Sequence, residues 1–473
     1  MLSPLGPRAK RGDQRIDLKM WLTTMEKCFK NAITLGAEVE QTWSKTDNEA
    51  SQFTLKNFAP TLAAIAFMGM LLFMNAALSR EADWSVSKVA SELMWKNASV
   101  RPPLMIIVAI AGWAWVVRVC RASAMNLESV LGGIVQPYAA TFHSALVLVI
   151  VLLVARDTHL IAAETPGLTW RPWLTCNMGL HVVFIVLALL PLPALQRESR
   201  ASLVRTLYES AIAPFAPVTF WHVIVADYLT SLAKTFSDIQ MAWCVAAHIF
   251  LEQKSGQHVR SEKLWGDYHD HCTDSYSNML MLALPFWFRL MQCLKVYSQT
   301  KEQKNLWNAL KYTTAFPLVY AGYLRNQEPS PEHTRFFIFS AVVQSSFTFV
   351  WDILMDWGLP ERPASVSIRS CFGFGLRERT LVSRQRHIYV SLCVGNFLLR
   401  FAWTLSTFGG IASHGVGMFF FEFIEIIRRT VWAVFRIEWE LVRNADKRSS
   451  RSSAPDDVEL EETTTLVGKA LDT

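Results

Sequence analysis

The sequence predicts an all-α, polytopic membrane protein with about ten transmembrane helices. Three observations predict it. Hydrophobic residues make up 51% of the chain and charged residues only 18%, where soluble domains carry about a quarter charged. The mean hydropathy is positive, +0.21. Apolar runs also recur at lengths that cross a hydrocarbon core of about 30 Å.

Residues 1–57 form a basic, polar N-terminal tail in which Leu22, Met25, Phe29 and Ile33 recur at helical spacing. Two readings fit that spacing: an amphipathic helix lying on the membrane, or a tail helix packed on protein. A four-helix region, 58–200, follows, with spans near 58–78, 104–120, 138–155 and 174–195. The first span lies too far into the chain for a cleaved signal. Six further spans lie within 216–443, near 216–252, 277–297, 306–324, 335–356, 388–408 and 417–438. The first of these six is too long for one straight crossing. The tail 444–473, "KRSSRSSAPDDVELEETTTL" in its middle, reads as disordered and cytosolic.

An even number of spans puts both termini on one side. The connection 357–387 carries Arg362, Arg369, Arg377, Arg379, Arg384 and Arg386, whereas 409–416 has no Lys or Arg. The positive-inside rule makes the first cytosolic and the second lumenal or external. The triplet Asn97-Ala98-Ser99 is a glycosylation sequon that suits the lumenal side.

The spans differ in charge. The first four are nearly free of it, with Arg118 near an end. The last six each carry a polar stripe. Asp227, Ser231, Lys234 and Asp238 follow i, i+4, i+7, i+11; Arg289 aligns with Gln292; Asn308, Lys311 and Tyr312 cluster. Asp352 and Asp356 share a face, as do Arg400, Thr404 and Thr407, and as do Glu425, Arg428, Arg429, Trp432 and Arg436. A charge in mid-membrane costs about 2.5–3.5 kcal/mol on insertion scales, so such residues face a bundle interior or a wet cavity. Two readings follow: pairs that only fix packing, or one shared hydrated path. Dry buried pairs seldom repay their desolvation, which favours the path. The surplus of cations selects an anion, and paired arginines suit phosphate or carboxylate oxygens. The carboxylates would hold the arginines and keep binding weak enough for release.

The ordered segments "FWFRLMQCLKVYSQTK", "WNALKY", "WDILMDWGL", "LLRFAWTLS" and "EIIRRTVWAVFRIEWE" resemble the EXS-domain family over about 216–443. That family contains cell-surface phosphate exporters and smaller Golgi proteins. The resemblance implies that the last six helices form an anion pathway. By motif it assigns pathway roles to Asp227 of "ADYLTS", Lys311, Tyr312, Asp352, Asp356, Arg400, Trp403, Arg428 and Arg429. Thr230 stands where the exporters usually have Asn, and His222 where an acidic residue is expected. Arg289, Asp238, Glu425 and Arg436 join the set from the charge pattern. The 57 residues ahead of the first span are too few for the SPX domain that precedes the exporters' helices. The resemblance therefore implies the SPX-less Golgi branch, returning lumenal phosphate to the cytosol. That branch supports glycosylation and retention of Golgi and ER residents.

The implied setting is a multi-pass Golgi membrane, with the plasma membrane as the alternative. The expected partners are inorganic phosphate and membrane lipids, with Golgi enzymes or coat proteins at the tails. A homodimer is left open, and nucleic acid is not expected. No cofactor, metal or enzymatic activity is expected: no Walker or GxGxxG pattern occurs, and "HDHCTD" (269–274) lacks a second ligand cluster. The eight cysteines are scattered and read as small buried hydrophobes. The competing function is a Golgi sorting receptor without transport.

Overall fold

The computed structural model describes residues 101–132, 197–254, 271–360, 376–377, 379–402, 404 and 415–452, with isolated positions between 141 and 189. Eleven helices order these residues. They are α1 (Arg101–Ala122), α2 (Glu128–Leu131), α3 (Arg197–Ala211), α4 (Phe220–Ser231), α5 (Ala233–Lys254) and α6 (Tyr276–Thr300). Then come α7 (Gln303–Thr313), α8 (Ala315–Gln327), α9 (Pro331–Trp351), α10 (Arg386–Arg400) and α11 (Gly415–Ser452). Among the described residues the one extended pairing is an antiparallel bridge from Pro360 to Leu376.

Local chemistry sets several helix starts. Ser275 caps α6 by accepting from the Asn278 amide at 3.2 Å. Ser330 caps α9 by accepting from the His333 amide at 3.1 Å, with Pro331 at the first helical position. Thr219 and His222 form a reciprocal box at the start of α4. The His222 ring also meets Glu209 of α3 at 2.7 Å, so an imidazole here bridges two helices. The Arg205 guanidinium, and then His222, hold the Glu209 carboxyl below its ordinary range.

Three helices among the described residues are long and apolar enough to cross a membrane: Arg101–Ala122, Tyr276–Thr300 and Pro331–Asp356. The molecule is a multi-pass membrane protein. The expected span 58–78, most of 138–155 and 174–195, and the helical spacing at 22–33 lie outside the described residues. Three expected spans are irregular. The run 216–252 is two helices, α4 and α5, interrupted at Leu232. The run 306–324 is also two, α7 and α8, interrupted at Thr314. The run 335–356 starts earlier, at Pro331, and ends in a π-turn, Asp352–Asp356, where the Trp357 amide donates to the Asp352 carbonyl at 2.9 Å. In the span 388–408, α10 ends at Arg400, Phe401 and Ala402 form a turn, and Thr404 is helical again. The last helix runs to Ser452, so the disorder expected from 444 does not hold as far as that residue.

α11 is the axis of the bundle. α1 packs along it in parallel: Arg101 meets Glu422, and Gly112 lies against Thr430. A Cβ on Gly112 would overlap the Thr430 side chain, so the glycine sets the approach of the two backbones. Lipid is as apolar as leucine, so close packing and interhelical hydrogen bonds hold membrane helices together. Here Tyr228 donates to Thr430 Oγ1 at 3.3 Å, and Trp357 Nε1 to the Trp432 carbonyl at 3.3 Å. Val116, Cys120, Ile224, Trp357, Trp432 and Ile437 are buried together around these contacts. Leu280, Phe339, Val394 and Leu398 are exposed on outer faces. Apolar surfaces face outward and charge lies inside, as a lipid solvent requires.

Glu438 ties the segment before α10 to this axis. It is 0% exposed and accepts four hydrogen bonds. They come from Arg377 NH2 at 2.6 Å, the Leu381 and Val382 amides at 2.5 and 2.9 Å, and Tyr389 OH at 2.7 Å. Arg377 also donates to the Trp357 carbonyl. Gly358, next in the chain, has φ +51° and lies against the Trp439 indole.

One cysteine expectation is corrected. Cys244 of α5 and Cys272, just before α6, are joined as a disulfide. Their separation of 28 residues across a connection hid the pairing. Cys120, Cys293 and Cys393 are free and buried, as expected. Because Cys272 is bonded to Cys244, it offers no thiolate for the "HDHCTD" run; His269 lies outside the described residues.

Two outcomes are expected. Gly358→Ala should lower stability by about 2–3 kcal/mol or more, through left-handed strain and overlap with the indole. Gly132→Ala, with φ +70° and open space around it, should cost only the strain, about 1–2 kcal/mol. Melting in detergent tests the order. Second, denatured protein should bind two more maleimide-PEG groups after reduction than before, and Cys244→Ser should abolish that gain.

Candidate functional site

The three helix irregularities bound one region. The break at Leu232 follows Asp227, Thr230 and Ser231. The break at Thr314 follows Lys311 and Tyr312. The π-turn begins and ends with Asp352 and Asp356. Interrupted helices at membrane depth survive only where they are buried in protein or line a cavity, and π-turns concentrate at functional sites. Here they bring these side chains into one charged region with α11, which supplies Glu422, Glu425, Arg428, Arg429, Arg436 and Glu440. The charges fall into three layers along it.

The first layer lies near the start of α1 and α11. Arg101 Nε and NH2 both reach Asp238 Oδ2 at 2.6 Å, and Lys234 Nζ reaches Oδ1 at 2.5 Å. Glu422 is buried beside them, with Arg101 Nε 3.5 Å away. Arg101 and Glu422 were missed in the sequence. Arg101 precedes the expected span by three residues, and Glu422 is one acid in an aromatic run.

The middle layer joins α4, the start of the π-turn, α10 and α11. Arg428 grips Glu425 with Nε at 2.8 Å and NH2 at 2.6 Å, a forked pair. Arg428 NH1 also donates to Asn396 Oδ1 at 3.3 Å, and Asn396 Nδ2 donates to Asp352 Oδ2 at 3.0 Å. Arg400 NH2 meets the same Asp352 oxygen at 2.8 Å. Asn396 thus links Arg428 to the carboxylate that Arg400 holds directly; as a neutral residue it carried no charge signal. Arg429 differs. Its Nε donates to Ser231 Oγ at 2.9 Å and its NH2 to Thr230 Oγ1 at 3.2 Å, and its plane lies 4.5 Å from the Trp432 ring centre. Ser231 in turn contacts Glu425 at 2.7 Å.

The third layer joins α3, α4, α6, α7 and the π-turn. Asp227 Oδ1 accepts from Tyr312 OH at 2.6 Å and Arg289 Nε at 2.9 Å. Arg289 NH1 donates to Gln292 at 2.6 Å, and Gln292 donates to Ser210 Oγ of α3 at 3.1 Å. Lys311 Nζ stands 3.7 Å from Asp356 and 4.5 Å from the centre of the Tyr312 ring. Arg436 Nε is also 3.7 Å from Asp356 and makes no hydrogen bond, while its NH1 reaches Glu440 at 3.0 Å.

Thirteen of the fourteen residues singled out in the sequence therefore meet around α11: Asp227, Thr230, Asp238, Arg289, Lys311, Tyr312, Asp352, Asp356, Arg400, Glu425, Arg428, Arg429 and Arg436. Trp403 lies outside the described residues. The stripe Asp227–Asp238 is not one helical face, because the break at Leu232 splits it between the third and first layers. Thr404 donates only to the Phe401 carbonyl, and Thr407 lies outside the described residues.

The cations differ in how fully they are neutralised. Arg289, Arg400, Arg428 and Arg101 hold a carboxylate within 2.9 Å. Arg429 is satisfied by hydroxyls alone, and Lys311 has its nearest carboxylate beyond hydrogen-bond length. These two are buried, at 6% and 5% exposed. These two cations are the positive charges among the buried set least closely paired with a carboxylate.

Breaking a closely paired layer should cost more than breaking an open one. Asp227→Asn strands Arg289 and should destabilise by about 3–5 kcal/mol, whereas Asp227→Asn with Arg289→Gln should cost less than the sum. Unfolding in detergent of the single and double variants measures the coupling.

The profile of the EXS family matches residues 98–442, more than half of the chain. It starts well before the 216 expected from the quoted motifs and takes in α1 with Arg101. The chain is 29% identical over 280 residues to a Danio rerio protein named "Xenotropic and polytropic retrovirus receptor 1 homolog" (56% of this chain, 38% of that one). It is 28% identical over 281 residues to the Homo sapiens "Solute carrier family 53 member 1" (56% and 39%). It is 24% identical over 409 residues to the Dictyostelium discoideum "SPX and EXS domain-containing protein 1" (81% and 40%). The chain spans about two fifths of the length of these curated relatives. With the matched profile covering every one of the charged layers around α11, the chain belongs to the EXS family.

Proposed function

We propose that this chain carries inorganic phosphate across an endomembrane, from the Golgi lumen to the cytosol, through the charged layers around α11. The observation that carries this reading is the pair of under-neutralised buried cations, Arg429 and Lys311, between layers of tightly held arginines. A tetrahedral oxyanion entering there gains charge-assisted hydrogen bonds that no carboxylate already supplies. A human relative's name as a solute carrier and the resemblance to phosphate exporters support it. The Golgi setting, and with it support of glycosylation and of Golgi and ER retention, rests on the resemblance alone.

The layers also suggest how passage is controlled. In this conformation the charged side chains meet one another, so the anion advances by replacing a carboxylate on a guanidinium. Asp356, 3.7 Å from both Lys311 and Arg436, is the most readily displaced. Asp352, held by Arg400 and Asn396, keeps the middle layer assembled. Binding stays weak because each cation retains a competing acid nearby.

Two features at opposite ends of the bundle support the orientation in this reading. The disulfide follows Asp238 on α5, near the end where α1 and α11 begin. Disulfides persist on the oxidising side of a membrane. The arginine-rich segment is held at Glu438, at the other end, where the positive-inside rule expects the cytosol.

Liposomes containing purified protein should release labelled phosphate. Arg429→Ala and Lys311→Ala should each cut that flux at least tenfold, about 1.4 kcal/mol or more of lost stabilisation, with folding retained. Lys304→Ala, at the exposed start of α7, should leave it unchanged. Absence of flux from the intact protein would leave only a sorting role.

A further inference from the structure

The run "HDHCTD" before α6 has no second ligand cluster in its own part of the sequence, but the fold supplies one from α5. Cys244 and His248 lie one turn apart on α5 and share a face. Cys272 and His271 come to that face from the segment before α6. One ligand atom from each of Cys244, His248 and Cys272 lies within 4.8 Å of the others, and the His271 ring centre is 5.5 Å from that of His248. Hydrogen bonds fix this junction independently of the disulfide. Ser237 donates to Asn278 Oδ1 at 2.6 Å and Gln240 to Ser277 Oγ at 2.7 Å, which joins α5 to α6. The Cys272, Thr273 and Asp274 carbonyls accept from Ser275 Oγ at 2.8 Å, Asn278 Nδ2 at 2.6 Å and Gln327 Nε2 at 2.6 Å. Cys272 is buried, Cys244 and His248 are half-buried and His271 is exposed, so the cluster opens to the surface on its imidazole side.

We propose that Cys244, Cys272, His248 and His271 form a zinc site that replaces the disulfide when the disulfide is reduced. Two thiolates and two imidazoles in a tetrahedral array select zinc, with Zn–S about 2.3 Å and Zn–N about 2.0–2.1 Å. Such bonds set the ligand atoms about 3.5–4 Å apart, inside the 4.8 Å that three of them already span. The sulfurs separate by side-chain rotation, and His271 turns in to the fourth position. A reductant of the dithiol class supplies two electrons and two protons: the S–S bond breaks, each sulfur gains a hydrogen, and the reductant closes to its own disulfide. Zinc then displaces both thiol protons to solvent as the Zn–S bonds form. The two states exclude one another, because the same sulfurs serve both. Either link ties α5 to the start of α6, on the helix that carries Asp238 to Arg101. The site does not rest on the transport reading.

The test uses the full chain in detergent, oxidised or reduced with a dithiol that is then removed without air. The probes are zinc alone and cobalt alone. Reduced protein should take up one more zinc per chain than oxidised protein, and cobalt should give the thiolate charge-transfer absorption of a tetrahedral site. His248→Ala and His271→Ala keep the disulfide, and each should weaken zinc binding by the reduced protein at least tenfold. An unchanged gel-filtration profile, and the same gain of two thiols on reduction, report that these variants are folded. Cys244→Ser/Cys272→Ser should lose the extra zinc. Its retention in that double variant would assign the metal to other thiols and overturn the site. So would unchanged affinity in either histidine variant, or equal zinc uptake by oxidised and reduced protein.

Discussion

The ion pairing of α11 with its neighbours is the constraint on which the rest of the structure depends. Guanidinium groups inside a membrane bundle are costly unless hydrogen-bond acceptors, most often acids, meet them. Asp227, Asp238, Asp352 and Glu425 therefore lie where α11 and its partners place arginine. The helices cannot slide without separating a buried pair. α1 is bound into the same scheme by Arg101, which makes the first described helix a wall of the charged region rather than an accessory.

That constraint explains the broken helices. A regular helix presents a polar residue every third or fourth position along one face. The layers need two adjoining polar groups from one segment pointed to different neighbours. Breaks at Leu232 and Thr314, and the wider turn at Asp352–Asp356, provide those directions. Asp352 then serves Arg400 and Asn396, while Asp356 serves Lys311 and Arg436. Two acids four residues apart would otherwise compete for one set of partners.

The same arrangement separates structural from functional charge. Arginines with close carboxylates hold the bundle. In the proposed function, cations satisfied by hydroxyls, or held at a distance from an acid, are the ones left to meet an anion. The two classes interleave along α11, where Arg428 and Arg429 are neighbours in sequence with opposite fates. At the far end Glu438 closes the scheme by capturing backbone amides of the arginine-rich segment, leaving other arginines at its rim free.

The sequence alone determined the membrane class, the approximate positions of several spans and nearly all of the charged set, because lipid makes each intramembrane charge conspicuous. Periodicity also placed Arg289 beside Gln292 and grouped the charges of the last helix. It could not find Asn396, which is neutral, nor Arg101, at the margin of an apolar run, nor Glu422, a single acid within an aromatic one. It ran the Asp227–Asp238 stripe through a break, since hydropathy continues smoothly across Leu232. Only the tertiary structure decided which acid meets which cation, and which cysteines meet at 244 and 272. Those choices depend on distances between helices far apart in the chain, such as the 2.9 Å from Arg289 to Asp227 against the 3.7 Å from Lys311 to Asp356.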